Sequence, residues 1–404
     1  MKILVLNCGS SSIKYQLLEV EGEANSTLLA KGLVERVGQS EGRLVHKPVG
    51  KDIFELKQPI ADHTSGISLI LDALVNPVHG VISSVEEIAA AGHRVAHGGE
   101  FFTESALIDE KAKAEIESLF DLAPLHNPPA LKGVLAIEEI LPAIKQVAVF
   151  DTSFHSSMPK KNFVYGIPYE YYEKLRIRRY GFHGTSHKFV AKKACGMTGL
   201  DFDTAKVITC HIGNGASITA IKDGKSVNTS MGFTPVDGLV MGTRCGEVDP
   251  SALLYIMDKE GVGADRIGDI INKESGLLGV SGVSSDMRDV IAAMNEGNER
   301  AQLIFDMFNS RLRRYIGAYM AELGGADVIV FTGGIGENEE PVRRDVMQGL
   351  EALGIHFDDE ANWDNSRGES RIISKENSPV KVVIASTDEE LVIATDTYDI
   401  VSAL

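Results

Sequence analysis

The chain has 404 residues, with 40 Lys and Arg against 57 Asp and Glu, a formal net charge of −17. That length makes roughly two to three domains, and 44% apolar with 24% charged residues is globular usage, neither disordered nor fibrous. The acidic excess argues against nucleic acid and anionic membrane surfaces as partners, since both reward clustered Lys and Arg. Gly is over-represented at 40 residues, about 10% against a usual ~7%, which suggests tight turns or backbone that approaches a ligand closely. Cys8, Cys195, Cys210 and Cys245 show no metal-like spacing and read as reduced thiols. The N-terminal MKILVLNCGSSSIKY turns polar too early for a secretory segment, and no run approaches ~18 apolar residues. The expectation is a cytoplasmic protein without a membrane span.

In chain order, the apolar run 2–6 stops at a Gly/Ser cluster and resumes as IKYQLLEV, which predicts strand, turn, strand. Helical spacing covers 111–120 and 130–141. VAVF ends at Asp151, and the polar stretch after it places a boundary near 151–160. The grammar of the N-terminus recurs at 207–227, where KVITCHI, Gly213–Ser217 and a second strand follow one another. Asp223-Gly224 there predicts a hairpin turn. Asp249-Pro250 launches a helix, and 299–325 is a long helix closed by paired Gly. DVIVF (327–331) ends in Thr332–Asn338, and VKVVIAS (380–386) ends in an acidic cluster that starts a C-terminal helix. The pattern suggests two related α/β halves, with ligand-binding groups at the carboxyl ends of strands.

Neither standard nucleotide motif is present. Thr219 stands where a P-loop ending in Gly224-Lys225-Ser226 would need Gly, and no complete G-x-G-x-x-G exists. Three small-residue turns remain, at 7–12, 213–217 and 332–338, each able to offer backbone N–H groups to phosphate. Lys14 follows the first of them. Gly-flanked clusters hold His93, Arg94 and His97, then His183 and His187, then Arg244, and read as ligand-facing turns. Asp151 and Glu389 at strand ends suit a Mg²⁺ ligand, although an acid at a helix start explains Glu389 equally well. Phosphate cradles, a carboxylate for Mg²⁺ and Gly-flanked cations are the parts of phosphoryl transfer.

These segments resemble the acetate kinase family: LNCGSSSIKY (6–15), HRVAHGG (93–99), LAPLHNPPAL (122–131), VFDTSFH (149–155), RRYGFHGTSH (178–187), CHIGNGAS (210–217), MGTRCGEVDP (241–250) and TGGIGEN (332–338). The resemblance spans the chain. It implies two duplicated actin-like, ribonuclease H-like α/β domains with an interdomain nucleotide cleft. The N-terminal domain would be 1–152, completed by the helix 388–404, and the C-terminal domain 153–387. It also implies reversible transfer from ATP to acetate, giving acetyl phosphate and ADP, with Mg²⁺ (or Mn²⁺) and a homodimer. Residue by residue, Asn7 and Glu389 match the metal ligands and Lys14 lies near the phosphates. His211, Ile212, Gly213, Asn214, Gly215, Asp286, Met287, Arg288, Gly334, Ile335, Gly336, Glu337 and Asn338 match the nucleotide contacts. Arg94 matches the residue that holds the acid, His183 and Arg244 the transition-state stabilisers, and Asp151 the active-site acid/base. A short carboxylic acid is already ionised at neutral pH, its pKa being near ~4.3, so it needs no general base. Asp151 is therefore expected to orient Arg or His groups or a metal-bound water.

Ala96 stands where the family usually has Val beside the substrate methyl, with Leu125, Phe182 and Pro235 as the other walls. The extra room predicts acetate as main substrate with appreciable propionate use. Alternatives are a butyrate or branched-chain acyl kinase and a nucleotide-gated actin-like binding protein.

Overall fold

In the computed structural model, which describes residues 1–22, 25–363 and 368–404, the opening run forms strand β1 (Lys2–Cys8) and SIKYQLLEV folds back on it as β2 (Ser12–Val20). Asn7 pairs with Lys14 and Cys8 with Ile13, so the Gly/Ser segment between them is the hairpin turn. The chain divides into two units, Met1–Phe154 with Asp388–Leu404, and His155–Thr387.

The first unit continues with β3 (Ser26–Glu35), β4 (Gln39–Pro48), β5 (Phe54–Ile60), β6 (Ile88–Val95), β7 (Ala106–Leu107) and β8 (Lys145–Phe150). Its sheet order is β5-β4-β3-β2-β1-β6-β8-β7, with β6 and β8 parallel to β1 and the rest antiparallel to their neighbours. The second unit has β9 (Lys206–Ile212), β10 (Ala216–Lys222), β11 (Lys225–Thr229), β12 (Val328–Thr332), β13 (Arg371–Ile372) and β14 (Lys381–Ile384), ordered β11-β10-β9-β12-β14-β13. As with β1, β2 and β3, which β4 and β5 extend in the first unit, three antiparallel strands precede two that run parallel to the first, and a two-residue antiparallel strand closes the edge. The two halves share one topology, the duplicated arrangement of actin-like α/β folds. No helix among the described residues is long and apolar enough to cross a membrane.

Side chains alternate across a strand, so β1 feeds two cores. Leu4, Leu6 and Cys8 join one cluster with residues of the helices His63–Leu74 and Asn127–Ile140. Ile3 and Val5 join another, with Ala90 of β6, Val147 and Val149 of β8, and Ile393 and Ala394 of the C-terminal helix Glu389–Ser402. That helix lies so close that a Cβ at Gly92 would come 2.5 Å from Thr397 Oγ1. In the second unit Ile208, Cys210, Ile212 and Phe331 pack against the long helix Glu299–Leu323 through Ile304, Phe308 and Leu312.

The predicted helices form at Glu110–Ser118, Asn127–Ile140, Pro250–Glu260 and Glu299–Leu323, the last closed by Gly324 at φ 67°. Asp223 and Gly224 make the predicted hairpin turn with φ of 52° and 71°. Three motifs differ from the sequence reading. His93 and Arg94 lie in β6, not in a turn, because a parallel strand buried on both faces need not alternate. RRYGFHGTSH runs into the helix Gly184–Thr198, so His187 is helical. TGGIGEN passes directly from β12 into the short helix Gly333–Asn338 instead of an open turn.

His93 is 1% exposed and its Nε2–H donates to Gln146 Oε1 at 2.8 Å. Burial pulls its pKa from 6.5 to about 4, so the ring stays neutral in the folded chain. Between those values the unfolded chain binds the extra proton, and stability falls as pH drops from 6.5 toward 4. Denaturant titrations at pH 7 and pH 5 should show His93→Asn losing about 2 kcal/mol less than the wild type, at ~1.4 kcal/mol per pKa unit. Equal losses would contradict this account.

Candidate active site

Asn7 follows Ile3 and Val5 on the face of the first sheet covered by the C-terminal helix. Arg94 follows Ala90 and Gly92, Asp151 follows Val147 and Val149, and Lys14, the β2 partner of Asn7, shares that face with Leu18. The parallel registers Leu6↔His93 and Val95↔Phe150 level these strand ends, and Asp151 N–H donates to Val95 O at 3.1 Å. Arg94 is gripped bidentately, Nε to Asp151 Oδ1 at 3.0 Å and Nη2 to Oδ2 at 2.6 Å. Glu389, at the start of the C-terminal helix, has Oε2 3.9 Å from Arg94 Nε. The Asp151 charge holds the Arg94 pKa above its ordinary value despite burial. Glu389 is pushed up by burial and by Asp151, against the pull of Arg94.

In the second unit, Thr209 and His211 of β9 share a face with Ser217 of β10, since Ser217 pairs with His211. The helix Gly184–Thr198 covers this face with Ser186 and His187. Ser186 Oγ is 2.8 Å from His211 Nδ1, and Ser217 Oγ is 2.8 Å from His183 Nδ1 and 2.7 Å from His187 Nε2. His183 sits at the head of the helix in the left-handed region, φ 57°, which a non-glycine residue occupies at a cost of order 1–3 kcal/mol. Its ring stacks on His211 with centroids 4.2 Å apart. A Cβ at Gly215 would lie 3.5 Å from Arg244 Nη1 and 3.6 Å from His183 Nε2, so both side chains converge on this glycine. Arg244 Nη1 donates to Pro235 O at 3.4 Å, and burial lowers its pKa.

Beside this cluster a cavity of about 620 Å³ is lined by Gly213, Asn214, Ser285, Asp286, Met287, Arg288, Gly334, Ile335, Asn338 and Glu339. Asp286 caps its helix and holds Arg288 bidentately at 3.0 and 2.6 Å, which brings its own pKa down to about 2. The volume and the Gly-rich floor suit a drug-sized polar ligand such as a nucleotide. Eight sequence-predicted positions line this cavity. Ile212 instead lies in the core, fully buried. Glu337 braces the loop, accepting from Gly333 N, Thr332 Oγ1 and Thr387 N. Gly336 is buried, its carbonyl accepting from Arg343 Nη1 at 2.9 Å. Ala96 is 8% exposed and Phe182 4%, whereas Leu125 is 67% exposed.

Sequence reading gave no role to Ser186, Ser285 or Arg343, and took Ser217 only as a member of the 213–217 turn. His187 was flagged only as part of a turn. The His183/His187 spacing of four was the available signal, because it puts both on one helix face. Arg343 carried no local signal, since its partners Gly336 and Asn362 are distributed along the chain.

Among the described residues no group of three or more His, Cys, Asp or Glu could hold a metal. Mg²⁺ keeps several waters and needs only one or two protein carboxylates beside phosphate. With both Asp151 oxygens engaged by Arg94, the Glu389 carboxylate at the head of the C-terminal helix, together with Asn7 at the end of β1, suits such a cation.

Two strand-end sites on duplicated actin-like halves, one with a clamped guanidinium and one with imidazoles beside a nucleotide-sized cavity, define a phosphotransferase. The acetokinase family profile matches residues 2–395, and the chain belongs to that family. It is 52% identical to the acetate kinase of Treponema denticola, over 99% of this chain and 100% of that one. It is 51% identical to that of Caldanaerobacter subterraneus subsp. tengcongensis over the whole of both. The crystal structure of Porphyromonas gingivalis acetate kinase superposes with a TM-score of 0.95 at 49% identity, covering 99% of each chain. A propionate kinase from Francisella tularensis superposes with a TM-score of 0.89 at 40% identity, covering 98% of this chain and 99% of its own.

Proposed function

We propose that this enzyme reversibly transfers the γ-phosphoryl group of ATP to acetate, giving acetyl phosphate and ADP. The observation that carries this reading is Arg94 clamped by Asp151. The clamp takes two of the five guanidinium donors, and the remaining three suit a second, substrate carboxylate. Acetate is ionised at neutral pH and attacks as the anion, so Asp151 serves as an orienting group for Arg94 and takes no proton. The 620 Å³ cavity of the second unit takes the nucleotide, with Gly213–Gly215 and Gly334 approaching the phosphates. His183 and Arg244 neutralise the charge that develops on the transferred group. Lys14 adds a point charge for the phosphates. A Mg²⁺ or Mn²⁺ ion held through Asn7 and Glu389 would supply charge neutralisation on the phosphate oxygens. The setting is the cytoplasm, where the four free cysteines stay reduced.

Propionate is the second substrate, supported by the small Ala96 and by the propionate kinase likeness. Trapping acyl phosphate with hydroxylamine, using ATP and a series of carboxylic acids, tests both readings. Acetate and propionate should yield hydroxamate with kcat/KM within about 200-fold of each other, and Ala96→Val should shift the ratio about tenfold toward acetate. No hydroxamate from any acid would overturn the phosphotransfer reading. A preference for butyrate or branched acids over acetate would overturn the substrate assignment.

A homodimer is the quaternary state this reading favours. The helix Pro250–Glu260 buries none of its residues, and Leu254 and Tyr255 are each 64% exposed beside Val248 at 43%. Such an apolar face is stabilised by a second copy of itself. Light scattering should return twice the chain mass for the wild type and the single-chain mass for Leu254→Asp. A monomeric wild type would contradict the assignment.

A further inference from the structure

We propose that Ser217 is a positioning residue for His183: its hydroxyl, shared between His183 Nδ1 and His187 Nε2, ensures that His183 presents Nε2–H toward the phosphoryl group. This rests on the phosphotransfer reading of the same site. The groups form a series. Thr209 Oγ1 lies 2.6 Å from His187 Nδ1, His187 Nε2 lies 2.7 Å from Ser217 Oγ, and Ser217 Oγ lies 2.8 Å from His183 Nδ1. Thr209, His187 and Ser217 are each fully buried. Burial, with His155 and His211 nearby, holds the His187 pKa well below its ordinary value, so that ring is neutral and carries one N–H.

A neutral His187 leaves two ways to place the protons. In the first, Thr209 donates to His187 Nδ1, His187 Nε2–H to Ser217, and Ser217 to His183 Nδ1. A neutral His183 must then carry its proton on Nε2. In the second, every donor reverses and His183 holds Nδ1–H. A neutral ring would then aim a bare lone pair at an anionic phosphate, which is unfavourable. An imidazolium has both protons, and the reversed series serves it well. Because one hydroxyl donates in either direction, His183 keeps Nε2–H in both charge states. The outward end of the ring lies beside Arg244 Nη1 at Gly215.

Ionisable groups that face His183 include His187 on its own helix, His211 on β9, stacked at 4.2 Å, and Arg244 across Gly215. His155 stands behind His187 with ring centroids 5.7 Å apart. None of them can replace a hydroxyl placed between the two imidazoles.

Ser217→Ala removes the link and leaves the fold of β10 intact. Without it a neutral His183 is free to take the Nδ1–H tautomer, and only the imidazolium guarantees the donor. The kcat of Ser217→Ala should fall about 10–100-fold, as for other orienting partners of histidine, with both KM values within about threefold. The loss should deepen as pH rises through the histidine range, where the wild type stays flat. Thr209→Val, isosteric at the far end, should show the same pH signature with a smaller fall of about 3–10-fold. Nitrogen-15 NMR of labelled histidine should report Nε2–H for His183 in the wild type and a tautomer mixture in Ser217→Ala. An unchanged pH profile, an unchanged tautomer, or a rise in KM at constant kcat in a folded variant would each overturn the proposal. A wild type that forms no acyl phosphate from any acid would instead defeat the underlying reading.

Discussion

A guanidinium three-quarters buried in a chain of net charge −17 must be held by something stronger than a surface contact, and Asp151 supplies it. Two parallel hydrogen bonds between a planar cation and a carboxylate fix both distance and plane. Breaking such a pair from one side leaves an uncompensated buried charge, which is why the geometry is stiff. The rest of the first unit serves this contact. Parallel β1, β6 and β8 bury both faces, end level with one another, and set Asn7, Arg94 and Asp151 on the face that the C-terminal helix covers. Gly92 lets that helix approach closely, and its first residue is Glu389.

The second unit applies the same topology to different chemistry. Where the first sheet ends in carboxylates and a guanidinium, the second ends in imidazoles, hydroxyls and glycines. A strained His183 backbone aims one ring at Gly215, and buried Ser217, Thr209 and His187 support it from behind. Glycine at 213 and 334 keeps side chains off the floor of the 620 Å³ cavity, the space proposed for the nucleotide. The Gly excess noticed in the composition therefore has a physical place, at strand ends and in the loops that follow them.

Much of this was legible from residues alone. Strand–turn–strand units at both half-starts, the Asp223-Gly224 hairpin and the capped helices at 250 and 299 follow from local rules that tertiary packing does not override. What escaped is non-local. The meander β3 to β5 lacked a clean apolar alternation, and β6 looked like a turn because AAAGHRV is small and polar for a strand. Its burial comes from neighbours on both sides, which no window of sequence contains. In the site, Arg94, Asp151 and His183 were visible singly, but the pairing of Arg94 with Asp151 spans 57 positions and Ser217 with His183 spans 34. Those contacts exist only once the sheets form.

The most direct test is the steady-state pH profile of Asp151→Asn, since Asn keeps the shape and removes the charge that grips Arg94. The account predicts that KM for acetate rises about 100-fold, as expected for a misplaced positioning group, while KM for ATP stays within about threefold and both limbs of the profile remain. Loss of one limb with KM for acetate unchanged would make Asp151 a proton-transfer group and contradict the account.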